Sequence, residues 1–171
     1  MLLFEKMPST TLTSTAFRQA VGQFATGVTV ITAERAPGRV HGMTANSFTS
    51  VSLDPLLILI CVEERAHLLP LLKQHGRFGV NVLREDQQSL SEYFAGAERL
   101  REEEPEVGVR FRWTDDGIPL LEGALAQLTC RVVAMHPSGD HNVVIASVDS
   151  VEICEGRPLL FHCGRYKRLA P

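Results

Sequence analysis

Runs of apolar and β-branched residues, separated by turns, predict most of the chain as short strands. The stretch from Val28 to Ala33 is rich in β-branched residues and is typical of a strand. Leu56 to Val62 is apolar at every position, so we expect a strand that is buried on both faces and central in its sheet. The same reasoning predicts strands over 40–52, 78–83, 124–135, 142–153 and 159–163. The count is six or seven strands, mostly antiparallel.

Apolar residues at a helical spacing predict two or three helices between these strands. Five of them recur at positions i, i+3, i+4, i+7 and i+8, namely Phe17, Ala20, Val21, Phe24 and Ala25. This spacing gives one apolar face to a helix over 15–26. A hydroxyl side chain at 14–15 is expected to cap it, and Gly27 to end it. Shorter helices are predicted over 67–75 and 85–94.

Strands at both ends of the chain, with helices inserted between them, predict a mostly β fold in which helices decorate an antiparallel barrel. The length of 171 residues fits one such domain. We assign this domain to 15–171 and expect 1–14 to form a flexible arm. Residues 97–117 are charged and lack a clear period. They predict a solvated surface loop, with a functional lid as the alternative.

Charge and hydropathy exclude several classes of partner. The net charge is −3 and no long run carries a single sign, which disfavours a basic nucleic-acid-binding face. The longest apolar run, 56–62, is much shorter than the roughly 20 residues that a membrane-spanning helix needs. The N-terminus lacks the apolar segment of a secretory signal. We therefore expect no membrane and no nucleic-acid partner.

The four cysteines, Cys61, Cys130, Cys154 and Cys163, form no C-x-x-C pair. Three of them lie in apolar, strand-like surroundings, which favours buried reduced thiols over a metal site or a disulfide framework. Reduced thiols indicate, in turn, a cytoplasmic protein. No metal ligand is assigned.

The sequence lacks the signatures of a site that performs difficult chemistry unaided. It has no G-x-S-x-G elbow for a nucleophilic serine, no G-x-G-x-x-G after a strand and no G-x-x-x-x-G-K-[ST] phosphate loop. A cofactor that supplies the chemistry, while the protein supplies position and dipoles, is the expected solution.

The stretch from Gly42 to Pro55 joins two apolar segments and is rich in small polar side chains. Six of its fourteen residues are Thr, Ser or Asn. Their hydroxyls and the neighbouring backbone N–H groups can donate to ring oxygens, ring nitrogens or a phosphate. This composition favours a site that a flat polar ligand approaches closely. The alternative is a β-hairpin with Ser and Thr on its solvent face.

Five segments occur in a characteristic order: ATGVTVIT at 25–32, GMTANSFTSVSLDP at 42–55, FGVNVL at 78–83, GDH at 139–141 and PLLFHCGRY at 158–166. Together they resemble the flavin reductase family, the small reductase components of two-component flavin monooxygenases. The resemblance covers about 15–168. It implies an FMN-binding split β-barrel with antiparallel Greek-key topology.

The same resemblance implies an enzyme that transfers hydride from NADH or NADPH to FMN or FAD. Reduced flavin would then leave for a separate oxygenase, and the reductase would be a homodimer. Two alternatives remain open: a flavin-binding split-barrel protein without turnover, and a member that reduces another acceptor such as a corrinoid. The sequence leaves open which flavin and which nicotinamide is preferred.

The resemblance also implies a set of flavin-contacting residues: Thr44, Ala45, Asn46, Ser47, Ser50 and Ser52, with Cys61 and Val62 beside the ring. Arg65 can pair with a phosphate, and His67 lies at a helix start where anions bind readily. Related proteins usually carry a Ser or Thr after the corresponding strand, next to a basic residue. In this chain Glu63 and Glu64 precede Arg65, and their charge is expected to weaken anion binding.

His141 in the GDH segment is the catalytic candidate, because the family's equivalent histidine borders the nicotinamide site; the alternative is a solvated turn histidine. Gly164, Arg165 and Tyr166 follow the last strand, where Arg165 can bind a phosphate and Tyr166 can stack on a planar ring. Asn81 is polar within an apolar strand. It requires a partner, either backbone or cofactor.

Overall fold

Seven antiparallel strands form the sheet on which the rest of the chain is built. The computed structural model describes residues 11–96 and 108–170. The strands of this sheet are β2 (Thr29–Ala36), β3 (Arg39–Ala45), β4 (Thr49–Leu53), β5 (Leu56–Glu63), β6 (Arg77–Val82), β9 (Ala126–Ser138) and β10 (His141–Ile153). Their order is β3-β2-β6-β9-β10-β5-β4, and each neighbouring pair is antiparallel.

Five short strands and three helices complete the described part of the chain. The short strands are β1 (Thr26–Gly27), β7 (Phe111–Trp113), β8 (Pro119–Leu121), β11 (Leu160–His162) and β12 (Arg165–Lys167). They form a three-stranded sheet, β1-β11-β12, and a β7-β8 pair. The helices are α1 (Ser14–Val21), α2 (Leu68–His75) and α3 (Gln88–Ala95). The predicted mostly β fold with inserted helices is confirmed. None of the described helices is long and apolar enough to cross a membrane.

Helix α2 covers one face of the seven-stranded sheet and closes the larger hydrophobic core. Its leucines Leu68, Leu69 and Leu72 are buried together with Ile60 and Phe78 of the sheet. Burying a leucine side chain contributes roughly 1.5–3 kcal/mol to folding, so these leucines hold the helix against the sheet. A second cluster, which includes Phe94 of α3, packs between β2 and the small strands.

The hydroxyl-rich segment forms two strands and not the single strand predicted over 40–52. β3 ends at Ala45 and β4 begins at Thr49. Between them, the Ser47 hydroxyl accepts from the N–H of Cys61 and donates to the carbonyl oxygen of Cys61, both at 3.1 Å. The side chain thus bonds the backbone of β5, and this local competition with strand pairing interrupts the sheet at this point.

β5 lies second from the edge of its sheet and is buried on one face only, so the predicted central position is wrong. Alternate side chains, Ile58, Ile60 and Val62, are at most 4% exposed. The intervening residues Leu57, Leu59 and Cys61 are half-buried. A uniformly apolar strand therefore leaves an apolar face that the described chain does not fully cover.

α1 is shorter than predicted and differs at both ends. The Thr13 hydroxyl caps it by accepting from the N–H of Ala16 at 3.1 Å, and Gly22 ends it. No residue of α1 is buried, and its Phe17 is 58% exposed. Phe24 and Ala25, two of the five residues of the predicted apolar face, lie beyond the end of the helix, and Val21 is 51% exposed in the described structure.

The charged segment predicted as a loop lies partly outside the described residues. The described portion, 108–117, contains β7, which pairs with β8 in the register Phe111↔Leu121. Most of the predicted arm, 1–10, also lies outside the described residues.

Candidate functional site

A cleft of about 480 Å³ lies where β3, β5, β10, α3 and the turn before α2 approach one another. We call it the polar cleft. Its lining residues are His41, Met43, Thr44, Ala45, Asn46, Ser47, Cys61, Glu63, Arg65, Ala66, His67, Phe94, Ala95 and His141. Eight of the fifteen residues predicted to form the site are among them. The cleft is of the size that holds a drug-sized ligand, roughly 300–1,000 Å³.

Strand register brings distant parts of the sequence together in this cleft. β5 and β10 pair so that Glu63 is opposite His141, at the point where one strand ends and the other begins. Directly opposite residues of an antiparallel pair lie on the same face with Cβ atoms about 5 Å apart. Arg65 and His67 follow on the turn into α2, so charged and titratable side chains from separate segments line the same cleft.

Two hydrogen bonds, made by three hydroxyl groups, hold β3 and α3 together at the cleft. The Thr44 hydroxyl donates to the carbonyl oxygen of Ser91 on α3 at 2.7 Å. The Ser91 hydroxyl and the Tyr166 hydroxyl share a hydrogen bond of 2.9 Å. These contacts tie β3 to α3 and α3 to the C-terminal strand. The Thr44 oxygen keeps lone pairs for accepting a bond, while its proton is already used.

His141 is held by its chain neighbour. Its Nδ1 lies 2.7 Å from Oδ1 of Asp140, and both side chains are accessible to solvent. The hydrogen bond from His141, followed by the charge of His141, lowers the pKa of the Asp140 carboxyl below its ordinary value. The contact fixes the direction of the imidazole ring, and Nε2 is the nitrogen left for a ligand.

The two glutamates before Arg65 have different surroundings. Glu63 lines the polar cleft. Glu64 does not line it, because its carboxylate accepts from the side-chain amide of Asn142 and its backbone N–H donates to the Asp140 carbonyl oxygen at 2.9 Å. Among the cleft-lining residues that the structure describes, Arg65 is the permanent cation and Glu63 the carboxylate.

A second cleft of about 610 Å³ adjoins the first; we call it the apolar cleft. It is lined by Phe24, Ala25, Thr26, Gly27, Thr29, Asn46, Ser47, Phe48, Thr49, Leu59, Cys61 and Val82. Asn46, Ser47 and Cys61 line both clefts and form the wall between them. The Thr26 hydroxyl oxygen is buried without a hydrogen-bond partner in the described part of the chain.

Seven of the predicted site residues lie outside the polar cleft: Ser50, Ser52, Val62, Asn81, Gly164, Arg165 and Tyr166. Ser50 and Ser52 are on the edge strand β4, where the Ser52 hydroxyl accepts from the N–H of Asp54 at 3.2 Å. Val62 is fully buried in the core. Gly164 and Arg165 are exposed at the tight turn between β11 and β12.

Asn81 and Tyr166 have protein partners that account for their polar atoms. The Asn81 amide donates to the Val30 carbonyl oxygen at 2.9 Å, and its own oxygen accepts from the N–H of Leu121 at 2.8 Å. Asn81 is fully buried, so of the two partners expected for it the structure shows the backbone. Tyr166 packs against Phe161 with ring centroids 5.3 Å apart, and reaches the polar cleft only through Ser91.

Sequence reasoning missed His41, Met43, Phe94 and Ala95. A period of two counted back from Ala45 along β3 places Met43 and His41 on the same face, so the strand pattern contained that signal. His41 is buried, and its ring centroid lies 6.3 Å from that of His67. Phe94 and Ala95 reach the cleft through the packing of α3 on β3, which no local pattern shows.

Comparison with known proteins agrees with this architecture. Residues 21–170 match the family model described as the flavin reductase like domain. An NADH-dependent flavin reductase from a Rhodococcus species is 45% identical over 154 residues, covering 89% of this chain and 84% of that protein. The reductase component of 4-hydroxyphenylacetate 3-monooxygenase from Thermus thermophilus is 43% identical over 155 residues, covering 90% of this chain and 95% of that protein.

A solved structure shows the same fold. A flavin reductase in its native state superposes with a TM-score of 0.84 at 45% identity, and the match covers 94% of this chain and 100% of that one. The predicted split barrel is thereby confirmed as the fold of this chain. Because the family model spans most of the sequence and close relatives match nearly their whole length, the chain belongs to the flavin reductase family.

Proposed function

We propose that the chain is an NAD(P)H-dependent flavin reductase that transfers hydride from the nicotinamide to FMN or FAD. The observation that carries the proposal is the convergence of eight flavin- and nicotinamide-site candidates on one cleft, from segments up to about a hundred residues apart. The relatives' names supply the reaction class, NADH-dependent flavin reduction. A bound flavin would supply the hydride acceptor.

The residues of the polar cleft fit a flavin. The backbone of residues 45–47 and the side chains of Asn46 and Ser47 line the cleft and can bond ring nitrogens and oxygens. Arg65 and His67 line the same cleft and suit a phosphate. His141 stands across the strand pair from Glu63, and its Nε2 can orient the carboxamide of a nicotinamide. Direct hydride transfer demands positioning and no protein acid or base.

We further propose that flavin is an exchangeable substrate and that reduced flavin reaches a separate oxygenase. One of the relatives is named as the reductase component of a monooxygenase. Among the described residues, the polar cleft offers one permanent cation for a phosphate, Arg65, beside the carboxylate of Glu63. Tight retention of flavin would slow release about tenfold for each 1.4 kcal/mol of extra affinity. Gel filtration of the flavin-loaded protein should therefore remove most of its yellow colour.

We propose that the working form is a homodimer. Phe17 and Val21 of α1 are more than half exposed, and Leu57 and Leu59 leave one face of β5 half-covered. A closed two-fold dimer is the commonest way for such faces to be buried. Sedimentation at micromolar concentration should give twice the monomer mass of 18.9 kDa. The four free cysteines fit a reducing compartment, and we place the protein in the cytoplasm.

The test of the reaction is the fall in NADH absorbance when protein and flavin are mixed, with NADPH and with FMN, FAD and riboflavin run in parallel. Turnover with any flavin supports the proposal. Flavin binding without NADH consumption would instead favour a flavin-binding protein without turnover. Reduction of a supplied corrinoid, with no release of reduced flavin, would favour the other alternative.

His141→Ala tests the assignment of the nicotinamide end. The variant should raise the NADH KM by roughly tenfold to a hundredfold, the effect of one lost charged hydrogen bond, and leave the flavin dissociation constant unchanged. His136→Ala is the matched control, because His136 is an exposed histidine of the same hairpin that does not line the cleft. Equal losses of flavin and NADH affinity would remove His141 from the nicotinamide site.

A further inference from the structure

Among the described residues that line the polar cleft, Glu63 carries the carboxylate that opposes an anionic ligand. It faces the cleft that also holds Arg65 and His67. Within the described residues no Lys, Arg or His side chain forms an ion pair with it, since the ion pairs found involve other carboxylates. Glu63 is exposed to solvent.

We propose that Glu63 determines which flavin the cleft selects, by disfavouring a terminal phosphate dianion. The inference rests on the proposed function, in which a flavin occupies the polar cleft. Arg65 and Glu63 carry opposite charges and line the same cleft, so their effects on a phosphate largely cancel. An uncharged ribityl chain meets no such repulsion, and its hydroxyls can donate to the carboxylate.

Glu63 and Glu64 are neighbouring residues of the same type, but they have different contacts in the structure. The Glu64 carboxylate accepts from Asn142, which is itself 2% exposed, and the backbone of Glu64 is bonded to Asp140. Glu64 is therefore held outside the polar cleft by Asn142 and Asp140, whereas Glu63 lines the cleft. Selectivity against a phosphate monoester belongs to Glu63 alone.

The experiment compares the dissociation constants of FMN and riboflavin, measured by quenching of flavin fluorescence at pH 8. Glu63→Gln keeps the shape and the hydrogen-bonding oxygen of the side chain and removes its charge. We expect it to tighten FMN binding by roughly three- to tenfold and to change riboflavin binding by less than about twofold. Glu64→Gln is the matched control: its amide oxygen can still accept from Asn142, and both constants should stay within about twofold of the original protein.

Ionic strength supplies the second arm of the test. The gain in FMN affinity of Glu63→Gln over the original protein should be smaller in 0.5 M than in 20 mM salt, because the Debye length falls from about 20 Å to about 4 Å. Three results would each overturn the role of Glu63 in flavin selection. Glu63→Gln could change the affinities for FMN and riboflavin equally, Glu64→Gln could have the same effect as Glu63→Gln, or the tighter FMN binding of Glu63→Gln could persist unchanged in high salt.

The control for the site itself is Ala95→Trp, which places a large ring at the mouth of the polar cleft. If this variant leaves the binding of both flavins intact, the proposed location of the flavin fails, whatever Glu63 does. If it abolishes binding while Glu63→Gln shows no phosphate-dependent effect, the location stands and the selectivity proposal fails.

Discussion

Replacing Ser47 by alanine is the sharpest test of how this site is held together. In the pairing of β4 with β5, Thr49 is opposite Leu59, and continuing that register by two residues places Ser47 opposite Cys61. The backbone of residue 47 does not extend the ladder. The Ser47 hydroxyl instead bonds both backbone groups of Cys61, each at 3.1 Å. One side chain thus continues the sheet where the strand has ended, and it stands in the wall between the two clefts.

The magnitude follows from those two bonds. A typical hydrogen bond contributes about 0.5–1.5 kcal/mol net, so losing both should lower the free energy of unfolding by about 1–3 kcal/mol. The upper part of this range applies if water cannot reach the freed N–H and carbonyl of Cys61, which is only half-buried. Because the wall between the clefts also loses its anchor, flavin affinity should fall by roughly three- to tenfold.

The assay is urea unfolding followed by circular dichroism, together with flavin titration of the folded protein. Ser50→Ala is the matched control, since Ser50 is exposed on β4, lies outside both clefts and has no side-chain hydrogen bond in the described structure. It should change stability by less than about 0.5 kcal/mol and leave flavin affinity unchanged. Indistinguishable behaviour of the two variants would refute the anchoring role of Ser47, and a loss of flavin affinity in Ser50→Ala would return Ser50 to the site.

Three further perturbations test the packing around the clefts. Asn81→Ala should lower the free energy of unfolding by about 3–5 kcal/mol, measured by urea unfolding, yet leave the flavin dissociation constant of the folded fraction unchanged, because Asn81 bonds only protein partners in the described structure. Gly42→Ala would place a methyl group 2.5 Å from the Phe94 ring, so thermal unfolding should show a free energy of unfolding lower by about 1–3 kcal/mol, and flavin titration should show a changed affinity. Gly27→Ala is the control and should be tolerated, because its methyl group meets nothing within 4 Å. Burial, with a smaller effect of the Asp149 charge, raises the pKa of the Cys130 thiol from 9.0 to about 12. Above pH 9 the unfolded thiol ionises and the folded one stays neutral, so stability should fall by up to about 1.4 kcal/mol per pH unit relative to Cys130→Ala; parallel pH profiles of the two proteins would contradict this.

The strands were the most predictable part of the fold, and the reasons are local. The alternation of apolar and polar residues and the presence of β-branched residues reflect the strand's place in its own sheet. The bounds of β2, β6 and β10 could therefore be predicted from the sequence to within a few residues. The errors arose where another element decides. Leu56 to Val62 is apolar throughout, but the second face of β5 is not covered by the described chain, and periodicity cannot tell which element covers a face.

The candidate site was predictable where residue type limits the role, and not where packing decides it. Arg65 was identified by its charge, and Ser47 and His141 were assigned through the resemblance to the flavin reductase family; all three line the polar cleft. Tyr166 has equally suitable chemistry, but its hydroxyl bonds Ser91 and its ring packs on Phe161. A polar side chain can meet its hydrogen-bonding needs with a ligand or within the fold, and the sequence alone does not distinguish the two.

The pair Glu63 and Glu64 shows how strand geometry resolves such an ambiguity. Side chains alternate along β5, so Cys61 and Glu63 share the face of the clefts, while Val62 points into the core. The same alternation on β10 directs His141 to the cleft and buries Asn142. A buried amide requires a partner, and the glutamate that follows the strand on that side provides it. Glu64 is therefore used by the fold, and Glu63 remains as the carboxylate that a ligand must meet.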